Sequence, residues 1–101
     1  MTKADIVDRV ANGTGLTKLE TEAIIEGFFK TVIEALKEGK GIEIRGFGSY
    51  KIKKKNARQA RNPKTGEQVN VPEHFVPTFK FSREFKEMVD KGMKQKNDKE
   101  I

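Results

Sequence analysis

The segment from Tyr50 to Gly66 places the strongest constraint on the fold, because it contains seven Lys or Arg residues and no acidic residue. The whole chain has 21 basic and 15 acidic residues, for a net charge of +6, so the positive charge is concentrated in this segment. A run of cations with few large apolar side chains cannot form a buried core, but it can follow a phosphate backbone. The segment ends in the turn sequence RNPKTG at residues 61–66. It therefore predicts a basic ribbon that closes in a turn and binds nucleic acid.

Length and composition indicate one small domain that needs a partner for stability. The chain has 101 residues, of which 35% are hydrophobic and 36% are charged. A domain of this size buries only about 60% of the surface that its unfolded chain exposes, and many such domains rely on disulfides, a metal or a second chain. The chain has no cysteine, so disulfides are excluded and no Cys/His cluster is present to hold zinc. We therefore expect self-association, with no cofactor and no metal.

The sequence also gives an expectation about the compartment. No apolar run approaches the roughly 18 residues of a membrane-spanning helix, and residues 1–5 lack the apolar core of a signal peptide. The absence of cysteine fits a reducing compartment. We therefore expect a cytoplasmic protein without a membrane partner.

Two helices are predicted before residue 40. The first begins at Thr2 and Asp5, which have the spacing of a capping box, and is expected to end at Gly13 and Gly15. The second begins at a further capping box, Thr17 and Glu20, and is expected to end near Gly39.

The second helix is apolar around well over half of its circumference. A helix this apolar is buried on more than one side, which a small monomer does not provide. The pattern therefore predicts a dimer. The apolar residues are Leu19, Ala23, Ile24, Ile25, Phe28, Phe29, Val32, Ile33, Ala35 and Leu36.

After residue 41 the apolar period changes to two, which predicts strands. Residues 46–48 form a tight turn around Phe47, which we expect to be buried, and the strand pattern then resumes. From residue 53 the chain stays extended, passes the turn at residues 63–66 and returns, so that two strands project about ten residues beyond any core. Pro72 and Pro77 restrict the returning strand to a sheet edge or an irregular position.

The last predicted element is a helix that contains Phe85, Met88 and Val89, with Ser82 as its N-cap. Residues 94–101 are polar, and we expect them to form a disordered tail. The predicted fold class is α+β, with two N-terminal helices, a three-stranded antiparallel sheet extended into a β-ribbon arm at about residues 53–75, and a C-terminal helix. Residues 1–93 form a single domain in this prediction.

Three motifs stand at fixed distances in the second half of the chain: GFGSY at residues 46–50, ARxxRNPKTG at residues 57–66 and VPxF at residues 76–79. With them the chain resembles the HU/IHF family of bacterial DNA-bending proteins, without gaps from about Thr2 to Val89. The resemblance implies an intertwined homodimer, or a heterodimer with a paralogue, in the bacterial nucleoid. Its two β-ribbon arms are expected to reach around double-stranded DNA in the minor groove and to bend it with low sequence specificity.

The resemblance also assigns roles to residues. In this family the proline at each arm tip inserts between base pairs and kinks the duplex, and the resemblance assigns this role to Pro63. Unstacking the base pairs costs a few kcal/mol per step, and the protein's contacts with the wrapped DNA backbone offset that cost. Other matching positions lie along the groove or hold flanking phosphates on the body. The resemblance and the basic run together give the predicted DNA contacts: Lys3, Lys18, Arg45, Lys51, Lys53, Lys54, Lys55, Arg58, Arg61, Asn62, Pro63, Lys64, Lys80, Arg83 and Lys86.

The chain departs from the family pattern in three places. Residues 81–82 are Phe-Ser where relatives often have Pro-Gly or Ser-Gly, and the tail past Val89 is longer than usual. Residues 42–45 resemble the IHF beta subunit, in which the matching Glu and Arg help to select sites. Glu43 and Arg45 therefore leave open an IHF-like subunit with site preference, although an alternating strand face is the simpler interpretation. His74 is the only histidine, has no Ser or Cys partner motif, and is taken as incidental.

Other functions are less well supported by the residues. Composition allows a small basic RNA-binding protein, but an arm that enters a narrow groove suits B-form DNA better than A-form RNA. A helix-turn-helix repressor could use the first two helices, but the second is too apolar to present a reading face to the major groove. No catalytic constellation and no phosphate-cradling glycine loop is present, so we expect neither an enzyme nor a small-molecule substrate.

Overall fold

Three helices and five antiparallel strands follow one another in the order that the sequence predicts. In the computed structural model, which describes residues 1–100 and the side chains of residues 1–97, the α+β fold class is confirmed. The described chain separates into two compact units, residues 1–38 and the residues from 39 onward, and the assignment of residues 1–93 to a single domain stays a prediction. The elements are α1 (Lys3–Thr14), α2 (Lys18–Lys37), β1 (Ile42–Ile44), β2 (Gly48–Lys55), β3 (Arg58–Arg61), β4 (Gln68–Val71), β5 (His74–Phe81) and α3 (Arg83–Glu100).

The first unit is a pair of helices whose ends are fixed by capping. The Asp5 carboxylate accepts the backbone N–H of Thr2 at 2.8 Å, and the Thr2 hydroxyl accepts the backbone N–H of Asp5 at 3.4 Å, so the predicted capping box is confirmed. Helix α1 ends at Gly15, which has a φ of 77°. The Thr17 hydroxyl accepts the backbone N–H of Glu20 at 3.1 Å, so the predicted start of α2 is also confirmed.

The chain alone buries little of its apolar surface. Among the residues described with side chains, Val7 and Ala11 on α1 are the buried apolar ones. On α2 the predicted apolar face is open, with Leu19 79% and Ile24 60% exposed. Helices in proteins are stabilised mainly by packing of an apolar face, and patches of this kind mark interaction sites. The open apolar face agrees with the predicted dimer, and the intertwined dimer itself stays a prediction.

The second unit is built on a three-stranded antiparallel sheet with the strand order β1-β2-β5. Strand β2 pairs with β5 over all of its eight residues, from Gly48 opposite Phe81 to Lys55 opposite His74. Because β5 is an edge strand, it accommodates Pro77, which lacks an N–H to donate to a further strand. The predicted edge position of this proline is therefore confirmed.

Strands β3 and β4 form a two-stranded ribbon that continues the β2–β5 hairpin outward. The pairing keeps its register across the gap between the two ladders, because Lys55 lies opposite His74 and Arg58, three residues farther, lies opposite Val71. The interruption contains Pro72, which has no backbone N–H for the ladder. The predicted arm is thus one hairpin with a single register and one break.

Aromatic side chains pack where the ribbon meets the C-terminal helix. The Phe47 ring centroid lies 5.7 Å from that of Phe79 and 5.3 Å from that of Phe85. Phe47 nevertheless remains 40% exposed, so the expected burial is wrong for the isolated chain, which covers only part of this ring. A Cβ atom at Gly48 would lie 2.5 Å from the carbonyl oxygen of Lys80 and 2.5 Å from the Phe79 ring. Only glycine fits there without displacing the β5 strand.

Helix α3 begins as predicted and extends farther than predicted. The Ser82 hydroxyl accepts the backbone N–H of Phe85 at 3.0 Å, which confirms the N-cap. The helix then continues to Glu100, so residues 94–100 are helical where the sequence predicted disorder; residue 101 lies outside the described residues. Lys and Gln are good helix formers, and an ion pair one turn apart, 3.0 Å between Asp90 Oδ2 and Lys94 Nζ, adds support. The polar composition that suggested disorder is also that of a solvated helix.

Candidate nucleic-acid interface

The register of the hairpin sorts the side chains of the arm onto two faces. Side chains alternate along a strand, and directly opposite residues share a face. One face, here called the polar face, consists of Ser49, Lys51, Lys53, Lys55, Gln59, Arg61, Gln68, Asn70, His74, Val76, Thr78 and Lys80. The other, here called the apolar face, consists of Tyr50, Ile52, Lys54, Arg58, Ala60, Val69, Val71, Phe75, Pro77, Phe79 and Phe81.

The cations of the polar face have no carboxylate partner. Lys51, Lys53, Lys55 and Arg61 are all exposed, and none of them makes an ion pair within the described residues. Lysines two residues apart on β2 are separated by about 7 Å along the strand, so each can meet a different phosphate. The polar face is therefore a row of solvated cations on a paired β-ladder, which suits a surface that follows a phosphate backbone.

Lys54 is set apart from the neighbouring lysines. It lies on the apolar face, where its Nζ is 3.4 Å from Glu73 Oε1. Arg58 shares this face and is exposed, without an ion pair in the described part of the chain. The predicted contact of Lys54 with DNA would require the ion pair to open, whereas that of Arg58 would not.

The tip of the arm is held by hydrogen bonds to Asn62. The backbone N–H of Asn62 donates to the Glu67 carbonyl at 2.8 Å, and the Asn62 carbonyl accepts the Gly66 N–H at 2.8 Å. The side-chain Oδ1 of Asn62 accepts the Lys64 N–H at 2.9 Å. The last of these is an Asx turn. Gly66 has a φ of 73°, which glycine adopts without strain. The exposed ring of Pro63 is thus presented by an ordered loop at the end of the arm.

A groove of about 610 Å³ lies at the base of the ribbon, next to the N-terminus of α3. It brings together five of the predicted DNA-binding residues, which come from four different segments of the chain. We call it the body groove. Because the body groove shares Lys51 and Lys80 with the polar face, the two cationic surfaces are continuous. The five cations of the body groove are Arg45, Lys51, Lys80, Arg83 and Lys86, and its two carboxylates are Glu43 and Glu84.

The two predicted contacts in the helical unit are both paired with carboxylates. Lys3 Nζ lies 2.9 Å from Glu26 Oε1, and Lys18 Nζ lies 3.3 Å from Asp8 Oδ1. The hydrogen bond from Lys3 lowers the pKa of Glu26, and the same bond raises the pKa of Lys3. Both groups are therefore charged at neutral pH, and a DNA phosphate would have to replace the carboxylate at each lysine.

Sequence reasoning missed the carboxylates that pair with these cations and the role of Asn62 in the tip. The pair Lys54 and Glu73 would follow from the register, which requires the turn at residues 62–67 to be placed correctly. No regular spacing connects Lys3 with Glu26, because they lie on different helices. Within the described residues, no group of acidic or histidine side chains is arranged to hold a metal ion, and no helix there is long and apolar enough to cross a membrane.

Known proteins share both the sequence and the fold. The profile of a family described as "Bacterial DNA-binding protein" matches residues 1–90. Integration host factor subunit alpha of Psychrobacter cryohalolentis is 41% identical over 93 residues, which cover 92% of this chain and 94% of the relative. Integration host factor subunit beta of Neisseria meningitidis is 43% identical over 101 residues, which cover 94% of this chain and 97% of the relative.

Among solved structures, an Anabaena HU–DNA cocrystal contains a chain that superposes with a TM-score of 0.83 at 37% identity, covering 88% of this chain and 97% of that one. HU from Thermotoga maritima superposes with a TM-score of 0.64 at 29% identity, covering 88% of this chain and 98% of that one. These matches extend over both helical and ribbon segments. The chain therefore belongs to the HU/IHF family of bacterial architectural DNA-binding proteins.

Proposed function

We propose that this protein binds duplex DNA in the minor groove and bends it with low sequence specificity, using the ribbon arm and Pro63. The observation that carries the proposal is the single-register ribbon, with unpaired cations along its polar face and an ordered proline at its tip. The body groove extends the same cationic surface away from the arm. The Anabaena HU structure, a cocrystal with DNA, supports the same interpretation for this chain.

In this mechanism phosphate contacts supply the affinity, and the proline supplies the bend. The polar face, Arg58 and Lys64 neutralise phosphates along the groove, while the body groove holds the flanking backbone. Pro63 inserts between two base pairs, because a rigid apolar ring without an N–H can replace a stacking contact. Unstacking costs a few kcal/mol per step, and the additional phosphate contacts of the bent duplex offset that cost. Specificity then arises mainly from the deformability of DNA rather than from base-edge contacts.

The functional unit in this proposal is a dimer with two arms. The apolar face of α2, open in the single chain, supports a second chain, and so does the small buried core. A homodimer is the simpler assembly. A heterodimer with a paralogue is supported by the names of the relatives, which are alpha and beta subunits. We place this dimer in the bacterial cytoplasm, on the nucleoid.

A gel-shift titration across salt concentrations tests the proposal. We expect the logarithm of the affinity for duplex DNA to fall linearly with the logarithm of salt, at about −0.9 per phosphate neutralised. Linear, nicked and four-way-junction DNA are compared, with duplex RNA of equal length as the competitor, and the number of chains is measured on the bound species. An affinity that does not respond to salt would contradict phosphate binding. Equal competition by RNA would favour the RNA-binding alternative.

A second candidate function is that of an IHF-like subunit with site preference. It is favoured by the relatives named as integration host factor subunits and by the presence of Glu43 and Arg45 in the body groove. Footprinting on mixed genomic fragments separates the two functions, since discrete protected sites favour site preference and uniform protection favours general binding. A variant with Glu43→Gln that loses discrete sites but keeps its overall affinity would assign the preference to this position.

A further inference from the structure

We propose that His74 is a further DNA-contacting residue and that its imidazole takes up a proton when DNA binds. The proposal rests on the DNA-binding function proposed above, and it adds a dependence on pH that the cations of the arm do not provide. It assigns a role to the only histidine of the chain.

The position of His74 on the ribbon places it among the DNA-binding cations. It is the first residue of β5 and lies directly opposite Lys55 on the polar face, with Lys53 as the diagonal neighbour on β2. Its side chain is exposed. It stands between the body groove and the tip, so DNA that contacts both of these passes along it.

The hydrogen bond of the ring determines which nitrogen can face a phosphate. His74 Nδ1 lies 3.0 Å from the carbonyl oxygen of Pro72. A carbonyl can only accept, so Nδ1 carries the proton, and in the neutral ring Nε2 is then an acceptor. A phosphate oxygen is also an acceptor and cannot bond to it. Once protonated, the ring donates from Nε2 to a phosphate and keeps its bond to Pro72. As long as the bond to Pro72 is kept, a phosphate contact through Nε2 therefore requires the charged ring.

Among the residues described with side chains, the polar face carries no carboxylate that would compete with DNA. The charged groups that share the polar face near His74 are Lys53 and Lys55, both on β2. The neighbouring carboxylate, Glu73, is engaged with Lys54, which lies on the opposite face. The ribbon has two strands, so no third strand of the sheet covers the ring. A DNA phosphate is then the anion that stabilises the imidazolium, and binding becomes tighter as pH falls.

The composition of the chain makes this inference straightforward to test. Imidazoles change charge between about pH 5 and pH 8, a range in which otherwise only thiols and the terminal amine titrate. The chain has one histidine and no cysteine. At constant salt we expect about tenfold tighter DNA binding at about pH 5.5 than at about pH 8. The salt slope should be steeper by about 0.9 per arm at the lower pH. Calorimetry in two buffers of different ionisation enthalpy should detect proton uptake on binding.

Two variants provide the controls. His74→Gln should lose the pH dependence and bind like the wild type at about pH 8, whereas His74→Lys should bind at all pH values as the wild type does at about pH 5.5. If His74→Gln keeps the full pH dependence, or if wild-type binding is independent of pH while still dependent on salt, the role of His74 is refuted and the proposed function stands. If binding does not depend on salt, the proposed function fails with it. Circular dichroism of each variant confirms that this exposed position leaves the fold intact.

Discussion

Two adjacent lysines on opposite faces of β2 provide a sharp test of which surface of the arm meets DNA. Lys53 lies on the polar face and has no carboxylate partner in the described structure, whereas Lys54 lies on the apolar face with its Nζ 3.4 Å from Glu73. Replacing either lysine with glutamine removes one positive charge and keeps most of the side-chain length. We predict that Lys53→Gln weakens the salt dependence of DNA binding much more than Lys54→Gln.

The magnitude follows from counterion release. Each phosphate that is neutralised contributes about 0.9 to the salt slope, so a fourfold increase in salt, from about 50 to about 200 mM, lowers affinity roughly 3.5-fold per contact. In a dimer with two arms, Lys53→Gln should reduce the salt slope by about 1.8. The ratio of the wild-type affinity to the variant affinity should therefore fall roughly twelvefold between the lower and the higher salt concentration. For Lys54→Gln we expect a change well below this, because the lysine must first give up its ion pair with Glu73.

Fluorescence anisotropy at four or more salt concentrations measures these slopes, and circular dichroism checks that both variants fold. Equal slopes for the two variants would refute the assignment of the polar face to DNA. An unchanged slope for Lys53→Gln would place the phosphate contacts on another part of the molecule.

Three further predictions concern the tip, the base of the ribbon and the helical unit. Pro63→Ala should reduce DNA bending, seen as end-to-end energy transfer, more than it reduces affinity; unchanged bending would leave Pro63 as a turn residue only. Gly48→Ala should lower the free energy of unfolding in urea by about 1–3 kcal/mol, because the new Cβ would lie 2.5 Å from both the Lys80 carbonyl oxygen and the Phe79 ring. The control is Gly13→Ala, whose Cβ would meet no atom within 4 Å and which should not lower the free energy of unfolding. Lys3 lowers the pKa of Glu26 below its ordinary value of 4.5, so the stabilisation by this carboxylate is present above that pH and is lost as pH falls through the lowered pKa. The difference in melting temperature between wild type and Glu26→Gln should therefore be largest at about pH 7 and should shrink progressively as pH falls below 4.5, and a difference that does not change with pH would contradict the ion pair.

Much of the fold could be predicted because local patterns determine it. The capping residues Thr2, Thr17 and Ser82 mark three helix starts through contacts within four residues of the chain. The change of apolar period after Gly41 marks the passage to strands. The motif at residues 61–66 predicts the turn that sets the register of the whole ribbon.

Most of the features that could not be predicted depend on pairing between residues distant in sequence. The partners of Lys3 and Lys54 are set by helix packing and by strand register, so no local pattern identifies these two lysines as paired, whereas the pair of Arg83 with Glu87, 3.1 Å apart, follows the local i,i+4 spacing of a helix. The extent of α3 was underestimated because a solvated helix and a disordered tail have the same polar composition. The position of His74 opposite Lys55 also follows only from the register, which is why sequence reasoning takes this residue as incidental.

Removing the outer arm tests the central claim most directly. Replacing residues 56–73 with an Asn-Gly turn deletes β3, the tip and β4, but keeps the β2–β5 ladder from Gly48 and Phe81 to Lys55 and His74. On a duplex with a fluorophore at each end, we predict that the intact protein shortens the end-to-end distance, whereas the truncated protein folds, binds more weakly and leaves that distance unchanged. A truncated protein that folds and bends the duplex as the intact one does would show that the arms are not the bending element.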